Sequence, residues 1–112
     1  MEMVVNDLGH AAKLALSGRL DTAGVGRIET RFTASVVPAG KHALVDLSGV
    51  TFVSSLGIRM LVGVARALAQ KQARMILFGA QPLVSESLDH ASLGRIIPIV
   101  ADEAAAMKAL GA

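Results

Sequence analysis

No cysteine occurs in the 112 residues, which excludes disulfides and thiolate-held metals. Tryptophan and tyrosine are also missing, and the three phenylalanines are scattered. A nucleic-acid surface needs a basic stripe with interleaved stacking aromatics, so nucleic acid is not expected as a partner. Neither sign of charge is concentrated: eleven Lys and Arg against nine Asp and Glu leave +2, and no like-charge run exceeds two residues. The pI near 9.5 reflects only how few groups titrate. No apolar run approaches the roughly 20 residues of a membrane span. The first residues, Met1-Glu2-Met3-Val4-Val5-Asn6-Asp7, lack the basic start and apolar core of a secretory signal. A cytoplasmic protein without membrane insertion is the expectation. Apolar residues are plentiful, at 53% with a mean hydropathy of +0.55, which is too apolar for disorder. A chain this short buries roughly 60 to 70% of its unfolded surface, enough for one core and not two. Residues 1–112 are therefore read as one domain.

Short strands at Met3 to Val5 and Ala11 to Leu16 flank Asn6-Asp7-Leu8-Gly9-His10, which predicts an opening hairpin. Asp21-Thr22 can cap a helix whose apolar positions Val25, Ile28 and Phe32 recur at helical spacing, ending before Pro38-Ala39-Gly40. His42 to Leu47 reads as a buried strand, and a second apolar stretch begins at Val50 and stops at Ser54-Ser55. Arg74 to Phe78 is a third core strand. Pro82 suits the first turn of a short helix that Gly94 can end, and Ile96 to Val100, interrupted by Pro98, suits an edge strand. Asp102-Glu103 open a last helix running to Leu110, with acid in the first turn where the helix dipole favours it. Strands alternating with helices, after a hairpin, predict an α/β fold: a mixed sheet of four or five strands packed against about four helices.

The helix from Ser55 to about Gln70 is apolar on two sides. Ile58, Leu61, Val62, Ala65, Leu68 and Ala69 share one face, which is expected to enter the core. Leu56, Met60, Gly63, Val64 and Ala67 lie opposite, with Arg59, Arg66 and Gln70 on a polar edge between them. The second apolar face is read as an exposed binding surface, so Met60 is expected outside the core.

Enzyme readings find little material. Ser55 with His10 or His42 and Asp21 or Asp46 can be drawn as a triad, but no Gly-x-Ser-x-Gly elbow surrounds Ser55. Gly24-Val25-Gly26 lacks the third glycine of a dinucleotide loop, and no acidic pair stands at ligand spacing beside a histidine. No catalytic residue, metal or cofactor is expected. The junction Thr51-Phe52-Val53-Ser54-Ser55-Leu56-Gly57 is more informative, because its two hydroxyls lie where a helix exposes unsatisfied N–H groups. Ordinary N-capping accounts for serines there. A phosphate added at the same place would sit in the favourable field of the helix N-terminus and change the surface charge by about −1.5 to −2.

Three segments together resemble the STAS domain of anti-sigma-factor antagonists: Leu16-Ser17-Gly18-Arg19-Leu20-Asp21; Leu44 through Ile58; and Gly79-Ala80-Gln81-Pro82-Leu83-Val84 followed by Leu93-Gly94. The resemblance implies a non-enzymatic partner-switching protein that binds a serine-kinase-type anti-sigma factor and loses that binding when phosphorylated. A phosphoserine phosphatase would then restore it. The family's usual turn is Asp-Ser-Ser-Gly or Asp-Ser-Thr-Gly, with the modified hydroxyl directly before the glycine. Aligned on Gly57, this chain has Ser54 in place of the acid, Ser55 at the first hydroxyl and Leu56 at the usual acceptor position. The resemblance thus points to Ser55 as phosphoacceptor, with Ser54 second. Asp21 and Gly57 lie near the switch, and Leu56, Arg59, Met60, Gly63, Val64 and Ala67 form the partner surface. Asp21 is equally accounted for as a helix cap. The alternative is a STAS domain that does not switch, serving an ATPase, a lipid transporter or a sensor scaffold.

Overall fold

A computed structural model describes residues 1–111. Strands β1 (Glu2–Asp7) and β2 (Ala11–Leu20) form the opening hairpin. Helix α1 (Thr22–Val36), strand β3 (His42–Val53), helix α2 (Ser55–Gln70) and strand β4 (Met75–Phe78) follow. Helix α3 (Pro82–His90), a 3-10 turn over Leu93–Arg95, strand β5 (Ile99–Val100) and helix α4 (Glu103–Ala109) complete the chain. The sheet has five strands in sequence order; β1 runs antiparallel to β2, and the pairs β2/β3, β3/β4 and β4/β5 are parallel. Helix–strand crossovers in proteins are almost always right-handed. With parallel strands laid down in order, that handedness sends α1, α2 and α3 to the same side of the sheet.

The alternation of side chains along β3 and β4 separates the two faces. Val45 and Leu47 of β3 and Met75 and Leu77 of β4 point into the larger core, against Phe32 of α1, Leu61 and Leu68 of α2 and Leu88 of α3. Leu44, Ile76 and Phe78 point the other way, where Ala106 of α4 covers them. The run of four apolar residues in β4 is therefore a strand buried on both faces.

Several boundaries differ from the sequence expectation, β1 running Glu2–Asp7 and so into the expected turn, and three have a clear cause. The apolar stretches on either side of Ser48-Gly49 are one strand, because β3 carries two extra residues relative to β2: the pairing steps from Ala15↔Asp46 to Ser17↔Gly49, and from Gly18↔Val50 to Arg19↔Phe52. Bulges absorb what the sequence shows as an interruption. For the same reason β2 continues through Ser17-Gly18 to Leu20 instead of stopping at Leu16. β5 is confined to Ile99–Val100, since Pro98 has no N–H to offer; its carbonyl still accepts from the Leu77 N–H at 2.9 Å.

Candidate functional site

Leu20 and Val53 are opposite one another at the carboxyl ends of the parallel strands β2 and β3. Each strand passes directly into a helix, so the caps Asp21 and Ser54 stand side by side at the end of the sheet where α/β proteins place their sites. The Asp21 carboxylate accepts from the Gly24 N–H at 2.9 Å, with Arg19 Nε at 3.5 Å. The Gly24 N–H, and secondarily Arg19, holds the Asp21 carboxyl below its ordinary value of 3.8.

Ser54 is tied on both sides. Its hydroxyl donates to the Leu20 carbonyl at 3.0 Å and accepts from the Gly57 N–H at 3.1 Å, while its own N–H also donates to the Leu20 carbonyl at 3.0 Å. It is at once the N-cap of α2 and the stitch holding α2 to the end of β2. Gly57 completes the junction: a Cβ there would lie 2.7 Å from the Leu20 carbonyl oxygen, so the helix can come this close only without a side chain. Ser55, the first residue of α2, is exposed, and its hydroxyl makes no hydrogen bond among the described residues.

The α2 face that enters the core is rotated from the expected one: Leu61 and Leu68 are buried as expected, and Met60 and Val64 join them. Gly57, Met60, Leu61, Val64 and Leu68 are buried, with Met60 4% and Val64 5% exposed. Ile58, Val62 and Ala65 are half-buried on the flank and Ala69 is exposed. Met60 and Val64 are core residues and offer no docking surface. Gly57 lies on this face against β2, with Met60, Leu61, Val64 and Leu68 at i+3, i+4, i+7 and i+11, and the exposed Ser55, Arg59 and Arg66 lie on the opposite side of the helix. Of the remaining expected surface residues, Arg59 and Gly63 are exposed, while Leu56 and Ala67 are half-buried.

One neighbour of the junction lies outside the expected set. Phe52 is 39% exposed, and the Arg19 guanidinium sits 4.3 Å from its ring centroid. The bulge that pairs Arg19 with Phe52 creates this contact, and nothing in the local sequence announces a bulge there. The histidines take no part in the junction. His42 Nδ1 accepts from the Arg74 N–H at 2.9 Å, and the His10 ring stands edge-on to it at 6.1 Å, at the amino ends of the parallel strands. Among the described residues no three His, Asp or Glu side chains gather as a metal site, and no helix is long and apolar enough to cross a membrane.

The matched span decides the family: residues 2–106 fit the STAS domain. The chain belongs to the STAS domain family. The anti-sigma factor antagonist BtrV of Bordetella bronchiseptica is 25% identical to it over 109 residues, covering 97% of this chain and 94% of that one. Among solved structures, an anti-sigma factor antagonist from Thermotoga maritima superimposes with a TM-score of 0.87 at 16% identity, over 98% of this chain and 95% of that one. The unphosphorylated anti-sigma factor antagonist SpoIIAA superimposes with a TM-score of 0.78 at 20% identity, over 99% and 98%. The Bacillus SpoIIAA has also been solved in a phosphorylated form. The mixed five-stranded sheet with four helices is the fold these STAS proteins share with the present chain.

Proposed function

We propose that this STAS domain is an anti-sigma-factor antagonist of the cytoplasm, a non-enzymatic protein that binds a serine-kinase-type anti-sigma factor and is released from it by phosphorylation on Ser55. The observation that carries this reading is the division of labour between the two serines. Ser54 spends its hydroxyl on the Leu20 carbonyl and the Gly57 N–H, whereas Ser55, one residue on, is exposed and unengaged. Phosphorylating Ser54 would break the cap and the stitch to β2. Phosphorylating Ser55 leaves both in place. The antagonist names of the relatives, and the phosphorylated form known for SpoIIAA, support the same reading.

In the transfer, the Ser55 Oγ takes the γ-phosphoryl group of ATP, ADP leaves, and the hydroxyl proton is lost. The new dianion sits on the first turn of α2, where the N–H groups and the helix dipole stabilise it, so the fold is preserved. Docking then covers a doubly charged group. An unmatched buried charge costs several kcal/mol, and 1.4 kcal/mol is already tenfold in affinity. A phosphoserine phosphatase reverses the step by hydrolysing the ester.

The test is incubation with the cognate anti-sigma factor and ATP, followed by mass spectrometry. One phosphate on Ser55, abolished by Ser55→Ala, is the expected result, and Ser55→Asp is expected to bind the kinase less tightly than Ser55→Ala. A phosphate on Ser54 reassigns the residue. No phosphate with a partner that binds the protein points instead to a fixed regulatory subunit of an ATPase, lipid transporter or sensor scaffold. Leu56, standing where the family usually has its acceptor, would then mark a switch that has been lost.

A further inference from the structure

The outermost line of α2 is polar and positively charged. Ser55, Arg59 and Arg66 are exposed and fall within about 40° of one another around the helix at 100° per residue, diametrically opposite the buried Val64 and Leu68. Gly63 stands beside this line with nothing within 4 Å of the position a Cβ would take. Together α1 and α2 carry four arginines and one glutamate, a surplus of three positive charges in a molecule whose total is +2. The remainder of the chain is thus slightly acidic. None of this positive charge is used internally by a carboxylate: the ion pairs Lys13–Glu103, Arg19–Asp21 and Lys41–Asp7 all lie off the two helices, and Arg31 is engaged by the Met3 carbonyl at 2.9 Å. Among the described residues, Arg27, Arg59 and Arg66 have no acidic partner.

Resting on the antagonist reading, we infer that this stripe of α2 docks an acidic face of the anti-sigma factor, and that the sign of the charge at Ser55 is what the switch controls. Arg59 and Arg66 are seven residues apart, about 10 Å along the axis, so they fit two carboxylates two helical turns apart on a partner helix. The open position at Gly63, between them, lets that partner's backbone approach closely. Phosphate at Ser55 places about −1.5 to −2 charges one turn from Arg59, where it repels the acidic partner and competes for the guanidinium that would bind it. Desolvation alone penalises any charge at Ser55. An acidic partner penalises only a negative one, and this separates the two causes.

The experiment measures the dissociation constant for the purified cognate anti-sigma factor at about 50 mM and about 500 mM salt, where screening differs strongly. Arg59→Glu and Arg66→Glu are each expected to weaken binding at least tenfold at low salt, with the loss shrinking at high salt. Arg59→Gln and Arg66→Gln should lose less, and Lys108→Glu, a reversal on α4, should bind as the unaltered protein does. Ser55→Lys is expected to bind at least as tightly as the unaltered protein, and Ser55→Asp more weakly. Thermal melts by circular dichroism verify that each variant is folded. Stripe reversals no worse than Lys108→Glu overturn the inference, as does a Ser55→Lys variant that binds as poorly as Ser55→Asp, and in both cases the antagonist reading stands. Failure of the unaltered protein to bind the kinase removes the antagonist reading and this inference with it.

Discussion

Two adjacent serines of identical chemistry do different work because the backbone gives them different neighbours. Ser54 is the last extended residue before α2, with φ −88° and ψ 169°, a conformation that turns its hydroxyl back toward the Gly57 N–H. Ser55 is already helical and its side chain leaves the helix toward solvent. The consequence is measurable in stability. Ser54→Ala is expected to cost about 1 kcal/mol, within the usual range of roughly 0.5 to 2 for loss of an N-cap, while Ser55→Ala stays within about 0.5 kcal/mol of the unaltered protein. Denaturant titration of the two single variants checks this, and equal losses would mean that the cap is shared.

At the scale of the element, α2 shows how one glycine lets a helix seat closely on a strand. Two of its glycines stand in opposite environments. A Cβ at Gly57 would meet the Leu20 carbonyl oxygen at 2.7 Å and the Leu20 Cγ at 2.8 Å, whereas at Gly63 it would meet nothing within 4 Å. Alanine is the better helix former by about 1 kcal/mol, so Gly63→Ala is expected to stabilise the protein by about 0.5 to 1 kcal/mol. Gly57→Ala is expected to destabilise it by about 1 to 3 kcal/mol, because overpacking must push α2 away from β2 and loosen Met60 and Leu61 behind it. Opposite shifts in unfolding midpoint for the same substitution are the signature. Met60, 4% exposed, belongs to this argument too: Met60→Asp buries an unpaired carboxylate and is expected to unfold the protein, so it cannot report on docking.

At the scale of the whole molecule, two carboxylates at opposite ends of the sheet are expected to contribute to acid sensitivity. Asp7, the last residue of β1, accepts from Lys41 Nζ at 2.6 Å and from the Gly9 N–H at 2.9 Å, and Lys41 foremost, then Gly9, lowers its pKa. Asp21, at the other end, is lowered mainly by the Gly24 N–H. Both pKa values are lower folded than unfolded, so their stabilisation is fully present well above the ordinary value of 3.8 and disappears as pH falls through the lowered values. Stability is therefore expected to be flat with respect to these two groups above about pH 5 and to fall below pH 3.8. The double variant Asp7→Asn with Asp21→Asn, in which Asn still serves as an N-cap, should show a shallower acid limb in pH-dependent melts. An unchanged limb would place the acid sensitivity in other carboxylates.

Local chemistry in the chain itself determined the class of fold, most of the elements and the place of the junction. Asp21, Ser54 and Asp102 are capping residues ahead of apolar-periodic segments, and each caps a helix as its side chain dictates. The acid, the two hydroxyls and the glycine of the STAS resemblance all fall where two parallel strands end. Apolar spacing alone fits both the Ile58, Val62 and Ala65 side of α2 and the Met60 and Val64 side; the polar line of Ser55, Arg59 and Arg66, opposite Val64 and Leu68, is the sequence signal that points to the observed face. Only the tertiary structure decided how closely α2 seats against β2. Gly57 approaches Leu20 through a contact between residues 37 positions apart that no local window contains. The same holds for the bulges of β3, which join two apolar stretches into one strand and bring Arg19 over Phe52. Caps and periodicity act within a few residues and are legible along the chain; the seating of a helix and the register of a strand are settled by what each packs against.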